Sequence, residues 1–304
     1  MRLIDNILSP ENLRAAWEEV AAKKGAPGID GISISRWRRN WEERLVNLAT
    51  AVRANTYKPS PLERFTVPKR DGSLRHLTNL TVTDRVLQRA VLRVLDDLFD
   101  RHFLDCSYGY RQGRGVRDAV RVILRYRDEG RQWVLDADID ECFDSLDHEL
   151  LMTFVREEVD DPIVLRLIEQ WLHIGRRNPD VARGVAMGAV ISPLLCNIYL
   201  HRLDVGLVER GYALARYADD FCVFCRERAE AEAAWKDTEQ VLAQIRLRLE
   251  PSKTAITSFD EGFDFLGVHF YRDTYSFLAA GKRIEMEGEF DDALFYDYVP
   301  EGYE

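Results

Sequence analysis

The feature that most constrains this chain is the run Tyr217-Ala218-Asp219-Asp220-Phe221, two adjacent acids between segments, ALARY and FCVFC, that read as strands. Strand interiors disfavour Asp, so the pair belongs on the tight turn of a hairpin, from which both carboxylates project together. Upstream, WVLDADI (133–139) reads as a further apolar strand that brings Asp136 and Asp138, with Asp140 immediately after. A charge in such a strand is unfavourable unless it is paired or metal-bound. One strand-end carboxylate and two on a neighbouring hairpin can hold two divalent ions about 3.5–4 Å apart. Oxygen ligands alone favour Mg2+ over zinc. Asp136, Asp138 and Asp140 share a face if the strand is regular, so spacing does not choose among them.

The rest of the chain supplies a frame for this hairpin. Residues 10–24 and 35–53 read as helices, with Ser9 and Ser35 as N-caps, separated by the turn cluster GAPGIDG (25–31). Residues 62–79 hold two short strands around Arg70-Asp71-Gly72, and a helix follows from about Asp84. After the strand at Trp133 come helices at about 147–157 and 161–174, and a Gly-punctuated loop at 183–188. The apolar helix ISPLLCNIYLHRLDVGLV, the hairpin, the helix AEAEAAWKDTEQVLAQIRLRL and strands near 255–259 and 263–271 complete the order. Strand, helices, hairpin, helix and strand describe an α+β chain with a small antiparallel sheet backed by helices.

Charge is divided unevenly. Residues 1–130 carry 24 Lys+Arg against 17 Asp+Glu, and the remainder 18 against 35, giving the net −10. A basic first part suits phosphate binding; an acidic second part suits metal or a protein partner. No apolar run reaches the roughly 18 residues of a membrane span, so no membrane partner is expected. The N-terminus lacks the pattern of a signal peptide, and the five Cys fall at irregular positions. Reduced thiols and a cytoplasmic setting are expected.

The ordered motifs resemble the reverse transcriptases of group II introns and their bacterial relatives. They are GAPGIDG (25–31), VPKRDGSLRHL (67–77), TDRVLQRAV (83–91), SYGYRQGRG (107–115), DADIDECFDSLDH (136–148), GVAMGAVISPLLCNIYL (184–200), RYADDFCVF (216–224), LEPSKT (249–254) and FLG (265–267). The resemblance implies right-hand polymerase fingers at 1–130 (with part of the palm), a palm at 131–270, no full thumb, and an acidic tail at 271–304. It implies an RNA-directed DNA polymerase that uses two Mg2+ ions, with Mn2+ able to replace them. An RNA template, a nucleic-acid primer and dNTPs would be its partners.

Carried over residue by residue, the family's motif A acid falls on Asp138, followed by Ile139, and motif C supplies Asp219 and Asp220. These four positions are the expected metal contacts, Ile139 also lining the nucleotide. Phe143 resembles the steric gate, an aromatic that would clash with a 2′-hydroxyl; its bland reading is a core aromatic. Lys69 and Arg75 match residues that embrace the triphosphate, where Arg binds bidentately and Lys as a point charge. Lys253 matches the motif D lysine, a general acid for pyrophosphate, or else is an exposed helix-end lysine. Arg111, Arg114 and Arg117, interleaved with Tyr108 and Tyr110, suit template phosphates with stacking.

The chain departs from the pattern at Met187-Gly188, where the family has Gln-Gly at the nucleotide, while Ser192-Pro193 is intact; His76 stands where the family has Pro. The last 24 residues hold 8 acids against 2 bases, which fits a disordered or partner-bound tail rather than a basic thumb. Cys222 and Cys225 form a CxxC, but without a second pair this predicts no zinc site. The leading reading is a domesticated enzyme working with a partner, a CRISPR integrase or another defence subunit, through that tail. The alternatives are an antiphage-defence or diversity-generating reverse transcriptase, an idle RNA-binding subunit, and RNA synthesis from ribonucleotides, which Phe143 opposes.

Overall fold

A computed structural model describes residues 2–68, 74–178, 180–279, 282–288 and 290. In chain order these form α1 (Leu3–Ile7), α2 (Pro10–Ala22), α3 (Ile34–Arg38), α4 (Trp41–Arg53), β1 (Glu63–Pro68), β2 (Leu74–Asn79) and α5 (Val82–Asp100). Next come α6 (Val116–Asp128), β3 (Trp133–Ala137), α7 (Cys142–Ser145), α8 (His148–Arg156), α9 (Pro162–Gly175) and α10 (Ser192–Val208). The chain continues through β4 (Ala213–Tyr217), β5 (Asp220–Cys225), α11 (Arg228–Gln244), β6 (Ala255–Ser258), β7 (Phe263–Phe265), β8 (Val268–Tyr271), β9 (Thr274–Ala279) and β10 (Lys282–Glu287). Two compact units result. One joins the chain up to His102 with Phe143–Tyr199; the other joins Phe103–Cys142 with Leu200 onward.

In the first unit α2 packs on α5, and β1 pairs antiparallel with β2 from Glu63↔Asn79 to Pro68↔Leu74. Ser9 caps α2 by accepting from the Asn12 N–H at 3.2 Å, with Pro10 at the first helical position. The helix expected over 35–53 is instead two. Ser33, not Ser35, caps α3 by accepting from Arg36 N–H, and Asn40 leaves helical geometry (φ −132°) before α4 begins. The buried Trp37 is held there by its indole N–H, which donates to Thr83 Oγ1 at 3.0 Å. A buried carboxylate ties the unit together: Asp84 accepts from Tyr57 OH (2.7 Å), Thr81 Oγ1 (2.6 Å) and Ser60 N–H (3.1 Å). Trp171 N–H of α9 donates to Tyr57 OH.

The second unit holds the sheet that the hairpin demanded, in the order β4-β5-β3-β6, every described pairing antiparallel. All of β4 is buried, as is β5 after Asp220, because helices α6 and α11 pack against the strands. Continuous apolar runs such as FCVFC are the sequence form of a strand covered in this way. The helix expected through Leu249 stops at Gln244, and Arg246 turns the chain with φ +57°. Beyond the sheet, Leu266-Gly267 (φ +54° and +73°) break the strand expected over 263–271 into β7 and β8. The stretch read as an acidic tail begins with β9 and β10, which extend a second sheet ordered β10-β9-β8-β7. Phe224, Phe259, Phe263 and Phe270 join both sheets in one aromatic core, with Phe259–Phe263 and Phe263–Phe270 centroids 5.1 Å apart. Each such ring removed from water contributes about 1.5–3 kcal/mol. Among the described residues no helix is long and apolar enough to cross a membrane.

Candidate active site

Tyr217 pairs with Asp220, so Ala218 and Asp219 are the two loop residues of the β4–β5 hairpin. Ala218 lies in the left-handed region (φ +59°), which an L-residue enters at a cost of about 1–2 kcal/mol and holds only when its surroundings enforce it. Two contacts enforce it here. Gly109 lies so close that a Cβ on it would stand 2.6 Å from Ala218 N and 2.9 Å from Tyr217 Cδ1. The Arg216 guanidinium donates from Nη1 to the Ala218 carbonyl at 2.8 Å. The stretch before Gly109 is laced to β4: Arg216 N–H donates to Cys106 O (2.8 Å) and Tyr108 N–H to Arg216 O (2.9 Å). The SYGY motif therefore supports the acidic turn from beside it.

β3 pairs with β5 through Ala137↔Phe221, so Asp138, one residue on, stands level with Asp220 at the same end of the sheet. Asp136, two residues back, lies opposite Cys222 and accepts from its thiol at 3.8 Å. Asp140 is held by Arg248 (Nε–Oδ2 2.7 Å). Strand position thus separates three acids that sequence spacing left equivalent. Ile139 is buried and bridges Leu249, while Glu250 N–H donates to Asp138 O at 2.9 Å. That pairing brings Lys253 to Asp138, with Nζ–Oδ2 at 2.5 Å, and the bond raises the Lys253 pKa.

The acids at this end of the sheet repel one another in a partly desolvated place. Burial, aided by Asp138 and Asp220, pushes Asp219 up to about 6. Burial, then Asp220, pushes Asp136 up to about 7. Among the described residues no three Asp, Glu, His or Cys side chains are already gathered as a metal cage, and Asp138 is paired with Lys253 instead. The all-oxygen donor set and the mutual repulsion of its acids fit a hard divalent cation, which would compete with Lys253 for Asp138.

The three arginines expected at the template, all in this unit, differ in availability. Arg111 is buried, its guanidinium donating to the carbonyls of Leu104 (2.7 Å) and Ser107 (2.9 Å) over the Phe103 ring. Arg114 pairs with Asp105 (Nη2–Oδ1 2.5 Å), and Arg117 lies half-buried in the first turn of α6. In the other unit, Arg75 is half-buried on β2 opposite Val67. Lys69 lies outside the described residues. Phe143, 8% exposed, sits in α7, and its carbonyl accepts from Val185 N–H at 2.7 Å. The carbonyl of Met187 accepts both Thr78 N–H and Thr78 Oγ1 at 2.8 Å. Gly188 (φ +97°) presses on β2 so closely that a Cβ would lie 2.7 Å from Thr78 O. The hold on position 187 is a main-chain one, which Met satisfies as well as Gln.

Sequence reasoning missed Gly109, Ser107 and the pair Arg216–Asp204 in the second unit. Arg216 and Asp204 are wholly buried and joined bidentately, Nε–Oδ1 2.6 Å and Nη2–Oδ2 2.5 Å. The available signal was an Arg inside the otherwise apolar strand ALARY and an Asp on a helix whose first half is apolar.

An antiparallel sheet with acids on its hairpin turn and on the adjoining strand end is the form of a polymerase palm. A family model described as reverse transcriptase (RNA-dependent DNA polymerase) matches residues 67–270, and the chain belongs to that family. Protein YkfC of Escherichia coli K12 is 31% identical over 316 residues, covering 89% of this chain and 83% of that protein. The group II intron-encoded protein LtrA of Lactococcus lactis is 31% identical over 208 residues, covering 67% of this chain and 34% of LtrA. Among solved structures, a Candida albicans telomerase in complex with a telomeric RNA fragment shares the fold, with TM-score 0.55 and 14% identity. It covers 82% of this chain and 50% of that one. A partial Cas6-RT-Cas1--Cas2 complex aligns at TM-score 0.48 and 26% identity, covering 81% of this chain and 42% of that one. The chain is thus a member of the reverse transcriptase family that resembles group II intron-encoded proteins, and it spans about a third of the length of LtrA.

Proposed function

We propose that this chain extends a nucleic-acid primer on an RNA template with deoxynucleotides, at a centre of two Mg2+ ions contacted by Asp138, Asp219, Asp220 and the Ile139 backbone. Mn2+ would replace Mg2+. The observation that carries the reading is the register that sets Asp138 level with Asp220, with Asp219 on the enforced turn beside them. Bound divalent ions would activate the primer 3′-hydroxyl and stabilise the charge of the departing pyrophosphate.

The chain's own residues do the rest. Lys253, an ammonium beside Asp138, gives a proton to pyrophosphate. Phe143 excludes the 2′-hydroxyl, Lys69 and Arg75 hold the triphosphate, and Met187-Gly188 line the nucleotide. Arg114 and Arg117 neutralise template phosphates, and Arg111, committed to loop carbonyls, keeps that loop in shape.

We assign the palm to 131–270, the fingers with part of the palm to 1–130, and a partner-binding role to the acidic stretch 271–304, in the cytoplasm. The likeness to a group II intron-encoded protein favours work beside a CRISPR integrase, in acquisition of spacers from RNA, over other defence roles. The test is extension of a labelled primer on an RNA template. Mg2+-dependent product with dNTPs and little with NTPs supports the reading; equal use of NTPs, or no product with any primer, overturns it.

A further inference from the structure

Beneath the acidic turn lies a buried ion pair to which neither the family motifs nor the proposed chemistry gives a task. Arg216 and Asp204 have no exposed side-chain surface. A charge pair removed from water in this way is weak evidence of stabilisation, because apolar residues of similar volume often stabilise as well. What this pair does that apolar residues cannot is visible in its remaining bonds. Once Asp204 has fixed the plane of the guanidinium through Nε and Nη2, Nη1 points at the Ala218 carbonyl (2.8 Å). Nη2 also donates to Ser107 Oγ (2.9 Å), on the stretch whose neighbour Gly109 abuts Ala218 N. One guanidinium thus holds the carbonyl of the left-handed residue and the segment that presses on that residue's amide. The peptide it grips is the one that leads into Asp219.

We propose that Arg216 and Asp204 are positioning residues, a buried clamp that sets the Ala218–Asp219 peptide and thereby the geometry in which the Asp219 carboxylate takes up a divalent ion. The proposal rests on the reading of Asp219 as a metal contact. It requires the fork of Arg: a Lys at 216 keeps the charge but cannot grip Asp204 bidentately and Ala218 O at once.

The test uses the full chain without nucleic acid and reads Mn2+ binding by electron paramagnetic resonance, well below each variant's Tm. Removing a group that orients a metal-binding residue lowers metal affinity by about 10–100-fold, and that loss is expected for Arg216→Lys and for Asp204→Asn. Because either variant can unfold the core, the paired variant Arg216→Met/Asp204→Leu is measured beside them. It is expected to keep the fold and Tm yet retain the Mn2+ defect, and in primer extension to lower kcat with little change in KM for dNTP. A folded paired variant with wild-type Mn2+ affinity and kcat overturns the clamp. Wild-type protein that binds no Mn2+ overturns it too. Wild-type binding that Asp219→Asn abolishes, without any primer extension, removes the polymerase reading while the clamp is still decided by the Mn2+ measurements.

Discussion

Gly109→Ala adds one methyl group at the place where the SYGY segment meets the acidic turn. The new carbon would stand 2.6 Å from Ala218 N, 2.9 Å from Tyr217 Cδ1 and 3.1 Å from Tyr217 C. An ordinary contact needs about 3.4 Å or more, so the two segments must part by several tenths of an ångström. Two of the three atoms are main chain, and retreat of the loop would break the bonds of Tyr108 N–H to Arg216 O and of Arg216 N–H to Cys106 O. Overpacking of this kind destabilises by about 1–3 kcal/mol. The displaced residue is the neighbour of Asp219, and misplacement of a reacting group by about 1 Å lowers a rate by about 100-fold. Single-turnover primer extension is expected to slow by about 10–100-fold while Tm falls by only a few degrees. Gly113→Ala is the control: its own backbone is left-handed (φ +73°), so the alanine is strained, but nothing lies within 4 Å of its Cβ and it presses on no part of the acidic turn. It is expected to leave the rate unchanged. A Gly109→Ala enzyme with wild-type rate and stability would refute the claim that this segment fixes the turn.

Three further outcomes are expected. Phe143→Val should lower the dNTP:NTP incorporation ratio by about tenfold or more, measured with matched single nucleotides; an unchanged ratio would return Phe143 to the core. Lys253→Met should reduce kcat by about 100-fold. Its Mn2+ affinity should not weaken, since Lys253 competes with the ion for Asp138; weaker binding would contradict that competition. Asp219 is pushed up to about 6, above its unfolded value, so the protonated acid favours the native state at low pH and that contribution is lost as pH rises through the folded value. In ion-free buffer Asp219→Asn should therefore raise Tm at about pH 8, with the gain gone near pH 5, and a gain of the same size at both pH values would refute the sign.

The acidic hairpin and the strand order were legible because Asp-Asp between apolar strands leaves few alternatives. Spacing left Asp136, Asp138 and Asp140 equivalent and the choice of Asp138 came from the family resemblance; the sheet shows how the three differ, Asp136 lying opposite Cys222 and Asp140 held by Arg248. The clamp was hidden because Arg216 and Asp204 are twelve residues apart on different elements, and spacing carries no sign of their contact. Helix α6 was overlooked although Val116, Ala119, Val120, Ile123 and Leu124 recur at helical spacing; its arginines drew the reading toward nucleic acid. In β10 the acids obscured the period of two, in which Ile284 and Met286 turn toward the core and Arg283, Glu285 and Glu287 toward solvent.

The central claim is that the carboxylates of the β4–β5 turn carry the chemistry. The direct measurement is primer extension on an RNA template with dNTPs and Mg2+, comparing wild type with Asp219→Ala/Asp220→Ala at equal concentration and confirmed fold. The account predicts extension by the wild type and none by the double variant, with RNA binding retained. Extension that survives loss of both acids would contradict it.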